Sequence, residues 1–90
     1  MSPITPKIKA FLDIQKLGFV ATVSSTGKPN ISPKGTIIAW SKNSLAFANI
    51  RSPDTMTNLQ NNPFVEINVI DPLSRKGYLF MGTGKIIKDT

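Results

Sequence analysis

From Phe19 onward the chain consists of short β-branched or aromatic runs, each closed by a cluster of turn residues. Phe19-Val20-Ala21-Thr22-Val23 is followed by Ser24-Ser25-Thr26-Gly27-Lys28-Pro29, with Thr26-Gly27 at the tip of the turn. Asn30 to Trp40 reads as the return strand, interrupted by Pro33 and Gly35, and that pair argues for a bulge or an edge position. Ser41-Lys42-Asn43-Ser44 is the next turn, and Leu45-Ala46-Phe47-Ala48 the third strand. Phe64-Val65-Glu66-Ile67-Asn68-Val69-Ile70 alternates apolar and polar over its first part, as a half-buried strand does. Asp71 to Gly77 is a loop, and Tyr78-Leu79-Phe80-Met81 opens a fifth strand that continues through Gly82 and Gly84 to Ile86-Ile87. Connections this short pair strands antiparallel.

Two helices interrupt the series. Thr5 supplies an N-cap and Pro6 the first helical position. Ile8, Phe11 and Leu12 then share one face, and Gly18 reads as the C-terminal glycine. Ser52-Pro53-Asp54-Thr55 starts the second helix, with Ser52 as N-cap and Asp54 complementing the dipole; Asn62-Pro63 stops it. The expected order is helix, three strands, short helix, two strands, in one domain over residues 1–90. A sheet that stops at its fifth strand leaves an open edge. That predicts either a C-terminally truncated domain or a core completed by dimerisation.

Composition narrows the chemistry. Ninety residues bury a modest core. The chain has no His and no Cys, and its five carboxylates are scattered. Thiolate metal sites, disulfides and the commonest general base are therefore excluded. Reactivity, if present, comes from a bound cofactor. The absence of Cys fits a reducing compartment, and no apolar run approaches the roughly 20 residues of a membrane helix. The expectation is a cytoplasmic protein without a membrane partner. The net charge of +6 comes from cations spread along the chain, of which only Arg75 and Lys76 are adjacent. Such a spread fits a solvated surface or an anionic small ligand better than nucleic acid.

Two blocks combine turn residues, free N–H groups and a cation: Ile31-Ser32-Pro33-Lys34-Gly35-Thr36 and Ala46-Phe47-Ala48-Asn49-Ile50-Arg51-Ser52-Pro53. Lys34 and Arg51 offer charge, Gly35 admits close approach to the backbone, and the helix start at Ser52 favours a phosphate. Trp40 and Tyr78 read as core or dimer-interface aromatics.

Six blocks then stand in a familiar order: Gly18 to Val23, Gly27 to Asn30, Ser32 to Thr36, Leu45 to Asn49, Asn58 to Pro63, and Arg75 to Tyr78 with Gly82. In this the chain resembles the pyridoxamine 5′-phosphate oxidase-like, FMN-binding split barrels. The resemblance implies a mainly β fold, an antiparallel Greek-key split barrel of six strands with an N-terminal helix and a short helix after the third predicted strand. It also implies a homodimer with FMN, or another flavin or deazaflavin, at the interface, acting on a small-molecule substrate. Carried over, the cofactor-binding residues are Lys34, Gly35, Thr36 and Ile37 on the second strand, Ala48 and Asn49 near the flavin ring, Arg51, Ser52, Thr55 and Asn58 around the short helix, and Arg75 reaching across from the partner subunit. No residue is assigned a catalytic role and none a metal.

The chain departs from the family at Asp54, where many members carry a cation. An anion there repels a phosphate unless it points to solvent. The namesake oxidase uses a partner glutamine in the region of Gly77, and its later substrate-binding residues fall beyond Thr90, so the resemblance does not extend to that activity. Two other readings stand beside the flavin-dependent oxidoreductase: a non-catalytic flavin-binding or dimerisation module, and a relative that handles deazaflavin or haem.

Overall fold

Thr5 starts the first helix as its sequence predicts: its Oγ1 accepts the backbone N–H of Ile8 at 3.2 Å, with Pro6 in the first turn. In the computed structural model, which describes residues 3–48 and 52–87, α1 spans Pro6–Ile14 and presents Leu12, Ile8 and Phe11 to the core. It ends at Gln15, not at Gly18. Gly18 instead opens β1 (Gly18–Val23), where the lack of a side chain makes room for Ile37 and Val69.

The return strand predicted over Asn30 to Trp40 is two strands, β2 (Pro29–Lys34) and β3 (Ile38–Ser41). They lie in different sheets. The Gly35-Thr36-Ile37 link between them turns the chain out of one sheet into the other, so the interruption is a corner rather than a bulge, and Pro33 lies on an edge strand, the other position the sequence allowed. β4 (Ser44–Ala46) pairs back on β3. Helix α2 spans Pro53–Asn61, followed by β5 (Phe64–Asp71) and β6 (Lys76–Thr83). The strands form one four-stranded antiparallel sheet, β2-β1-β5-β6, and one two-stranded sheet, β3-β4. Asp71 organises the β5–β6 turn: its carboxylate accepts from Ser74 Oγ at 2.9 Å and from the Leu73 N–H at 3.0 Å, and these bonds hold its pKa below the usual carboxylate value.

The register decides which side chains meet. Lys34, Gly18, Val69 and Tyr78 form one row across the four strands, and Ser32, Val20, Ile67 and Phe80 the next. Partners in a row share a face. This inner face carries the core of Val20, Ile67, Val69 and Phe80, closed by Leu12 from α1 and Ile37 from the corner. Each fully buried side chain of this kind contributes about 1.5–3 kcal/mol. Phe11 meets Tyr78 edge to face at 5.0 Å, which seats α1 on β6. Trp40 is exposed on β3 and so is not a core aromatic.

The outer face is nearly as apolar as the inner one. Phe19, Ile31, Phe64, Leu79 and Met81 all point there, and Ile31 and Phe64 are each 68% exposed. Alternation in these strands therefore marks two apolar faces, as in a sheet covered on both sides.

Candidate cofactor site

Alternate residues of β2 put three polar groups on the inner face, Asn30, Ser32 and Lys34. Helix α2 lies over them. Lys34 is 5% exposed although it carries a charge. Its Nζ donates to Ser52 Oγ, and Ser52 Oγ also bonds Ser32 Oγ at 2.8 Å. Ser52 does occupy the N-cap position of α2, but its side chain makes no cap hydrogen bond to the helix. The hydroxyl has been drawn across to β2 instead.

Farther along the helix, Asn30 Nδ2 donates to Thr55 Oγ1 at 3.4 Å, and Asn58 Nδ2 donates to Thr22 Oγ1 at 3.0 Å. Thr22, Thr55 and Asn58 are buried. A polar seam thus runs between α2 and the β1–β2 pair, and it fixes the helix so that its N-terminus faces Lys34.

The buried groups at this point are positive, while the one acid of the first turn, Asp54, is exposed. A buried ammonium meets the N-terminal end of a nine-residue helix, where unpaired N–H groups carry partial positive charge. Among the described residues the only ion pair is Lys9 with Asp13, at 3.0 Å on exposed α1. Lys34 therefore has no carboxylate partner among them. A buried cation without a counterion is costly. An anion accepting from Lys34 and from the helix N-terminus relieves that cost.

The other predicted site residues fall into distinct places. Thr36 Oγ1 accepts the Ala48 N–H at 3.0 Å and lies 3.5 Å from the Ala48 carbonyl, to which it donates. Thr36 therefore clamps the corner after β2 to the segment after β4, and its hydroxyl is engaged in doing so. Ile37 is fully buried in the core, and its N–H donates to the Lys16 carbonyl at 3.3 Å. It supports the corner from below and offers a ligand no side chain. Gly35 is exposed and open: a Cβ built there meets nothing within 4 Å. Arg75 sits in the β5–β6 turn with a φ of 58°, at the same end of the sheet as Lys34 but two strands away. Asn49 and Arg51 lie outside the described residues. Asp54 is exposed in the first turn of α2.

Asn30, Ser32 and Thr22 were not singled out in the sequence. The signal was present: Asn30 and Ser32 precede Lys34 by four and two residues, and in a strand that spacing returns to the same face. The open Gly35 gives a clean test. Gly35→Ala is expected to leave the melting temperature within a few degrees or raise it, since the change restricts the unfolded chain by about 0.4–1 kcal/mol. If a ligand packs on this backbone, the same methyl lowers its affinity. Thermal melts with and without FMN read both effects.

A cavity lies along the neighbouring face of α2, which carries Met56 and Leu59. It has a volume of about 950 Å³ and runs between β4, α2 and the end of β6, with Leu45, Phe47, Met56, Leu59 and Phe80 in its walls. Among the described residues its only charged lining residue is Lys85.

Comparison with known proteins places this architecture. None of the curated proteins matches the sequence significantly. Among solved structures, HupZ of Group A Streptococcus is 34% identical, with 89% of this chain covering 63% of that one at a TM-score of 0.81. HutZ of Vibrio cholerae, described as a heme storage protein, is 24% identical, with 98% of this chain covering 66% of that one at a TM-score of 0.75. A candidate pyridoxamine 5′-phosphate oxidase of Lactobacillus delbrueckii is 20% identical, with 92% covering 68% at a TM-score of 0.79. The chain thus spans between 63% and 68% of the length of these solved chains. Residues 4–90 match the pyridoxamine 5′-phosphate oxidase family, and with the split-barrel strand order they show that the chain belongs to it.

Proposed function

We propose that this chain binds FMN through its phosphate at Lys34 and Ser52 and serves as an oxidoreductase-like flavoprotein of the cytoplasm. The observation that carries the reading is the buried Lys34 ammonium, without a carboxylate partner among the described residues, at the N-terminus of α2. Lys34, Ser32, Ser52 and the first N–H groups of α2 would hold the phosphate. Thr55 and Asn58 keep the helix in place through Asn30 and Thr22. Gly35 and the Ala48 backbone border the space beside the clamp made by Thr36, and Asn49 and Arg51 complete the proposed contact set. Bound flavin supplies hydride or electron transfer, for which a chain lacking His and Cys has no side chain of its own.

Homodimerisation belongs to the same reading. The outer sheet face exposes Phe19, Ile31, Phe64, Leu79 and Met81 together, more apolar surface than a free monomer ordinarily leaves in water. Arg75 of the partner subunit belongs to this proposal through the family resemblance; within one chain Arg75 lies at the same end of the sheet as Lys34.

A second reading is a haem-handling protein. Asp54 in the first turn of α2 opposes a doubly charged phosphate more than a singly charged carboxylate such as a haem propionate. The related HutZ is described as a heme storage protein. With no His in these 90 residues, a side chain of another type would have to hold haem iron.

The test is reconstitution of the purified chain with FMN and, separately, with haemin, followed by size exclusion and absorption spectroscopy. Flavin bands that travel with a dimer, and quenching of flavin fluorescence on titration, are the expected result. A Soret band that travels with the protein while FMN elutes free overturns the flavin assignment in favour of the second reading.

A further inference from the structure

The outer face of the four-stranded sheet carries one charge set among apolar side chains. Glu66 lies on β5, with Phe64 and Asn68 flanking it on the same face. Its row across the sheet is Ile31, Ala21, Glu66 and Met81, and its diagonal neighbours Phe19 and Leu79 are apolar as well. Asn68 is already engaged, donating from Nδ2 to the Tyr78 carbonyl at 3.3 Å. The cations within the four strands, Lys34 and Lys76, belong to the opposite face by the alternation of the ladder. Among the described residues Glu66 makes no ion pair.

Facing water, a lone carboxylate is well solvated. Covering the face changes that. A dimer with two-fold symmetry joins the same patch of both subunits, so each group on the patch meets only what the patch itself contains. This patch contains no cation. Both copies of Glu66 therefore enter the interface without a counterion from the face, and burying a carboxylate in that way is costly. Uptake of a proton removes the charge and leaves a carboxyl group that can donate a hydrogen bond across the interface.

We infer that, given the homodimer reading above, Glu66 is a proton-linked switch of self-association: closing the outer face on a second copy of this chain takes up protons at Glu66, and the dimer tightens as pH falls. The dimer then binds more protons than two free chains. Its association constant rises with falling pH, by up to about 100-fold per pH unit if both copies of Glu66 take up a whole proton. The rest of the chain pulls the other way. Two copies of net charge +6 repel, and protonating the remaining carboxylates adds to the repulsion. No His titrates between pH 7 and pH 5. The side chains facing Glu66 from β1, β2 and β6 are Ala21, Phe19, Ile31, Met81 and Leu79, none of which titrates.

The test is sedimentation equilibrium at pH 7, 6 and 5 and fixed ionic strength, on the chain and on Glu66→Gln and Ile31→Asp. The dissociation constant of the unaltered chain is expected to fall at least about tenfold from pH 7 to pH 5. Glu66→Gln keeps the shape without the charge. It is expected to dimerise at pH 7 as tightly as the unaltered chain does at pH 5, with most of the pH dependence gone. Ile31→Asp adds a second carboxylate to the same row at a position already 68% exposed, so circular dichroism is expected to stay unchanged while the dimer at pH 7 weakens at least about tenfold. A dissociation constant level across pH, or a slope that survives in Glu66→Gln, overturns the role of Glu66 and leaves the homodimer standing. A dimer indifferent to Ile31→Asp places the interface elsewhere and overturns it too. A chain monomeric at every pH, with Glu66→Gln monomeric as well, removes the homodimer and the switch together.

Discussion

Lys34→Met is expected to weaken FMN binding about 100-fold while leaving the protein as stable as before or more so. The two halves rest on the same fact. A charged hydrogen bond to a phosphate contributes about 1.5–3 kcal/mol, more when desolvated, and 2.7 kcal/mol corresponds to about 100-fold in affinity. Lys34 is 5% exposed, and among the described residues its ammonium has a hydroxyl partner but no carboxylate. Methionine fills a similar volume without a charge. In the ligand-free protein the substitution removes a buried, uncompensated cation, and such changes are neutral or stabilising. Ser52 and Ser32 keep their mutual bond at 2.8 Å, so no hydroxyl is stranded. The measurement is a flavin fluorescence titration beside a thermal melt. A lysine kept for packing gives the opposite pattern, with lost stability and unchanged affinity, and that pattern would remove Lys34 from the cofactor site.

How much of this was legible in the sequence depends on the range of the interaction. Thr5 acts on Ile8, three residues away, and the cap was readable. Ser52 was readable as a helix start for the same reason, but not as the partner of Lys34, because that contact spans 18 residues and appears only when β2 and α2 are stacked. The predicted strand from Asn30 to Trp40 carried its break in plain view at Pro33 and Gly35. Period-two alternation cannot distinguish a bulge from a corner, since both begin with a residue that leaves the ladder. The exposed positions of Ile31, Phe64 and Leu79 blurred the pattern further. A sheet with two apolar faces offers no polar side to mark its orientation. Lys34 itself was chosen for its charge, whereas its burial, the property that makes the charge consequential, is a product of packing.

Gly18→Ala is the second large effect, and it connects the core to the site. The sequence suggested a helix C-cap at Gly18, where alanine would be a mild change. In the fold, Gly18 lies in β1 opposite Lys34 on one side and Val69 on the other. A Cβ added there meets Ile37 Cδ1 in a severe overlap, Val69 Cγ2 at 2.9 Å and the Asn68 carbonyl oxygen at 3.0 Å. The carbonyl belongs to the β5 backbone and cannot turn aside. Ile37 Cδ1 is the end of a side chain, but Ile37 is fully buried, so turning it away disturbs the core beside the corner where Thr36 holds Ala48. Overpacking of this kind costs about 1–3 kcal/mol, which in a chain of this size lowers the melting temperature by roughly 4–20 °C. Because the displaced residue lies between the core and the corner after β2, FMN affinity is expected to fall as well, at temperatures where the variant is still folded. Gly18→Ala combined with Ile37→Val removes the clashing Cδ1 methyl and is expected to recover part of both losses. A double variant no better than Gly18→Ala alone would place the strain on the β5 backbone, uncoupling the corner from the core.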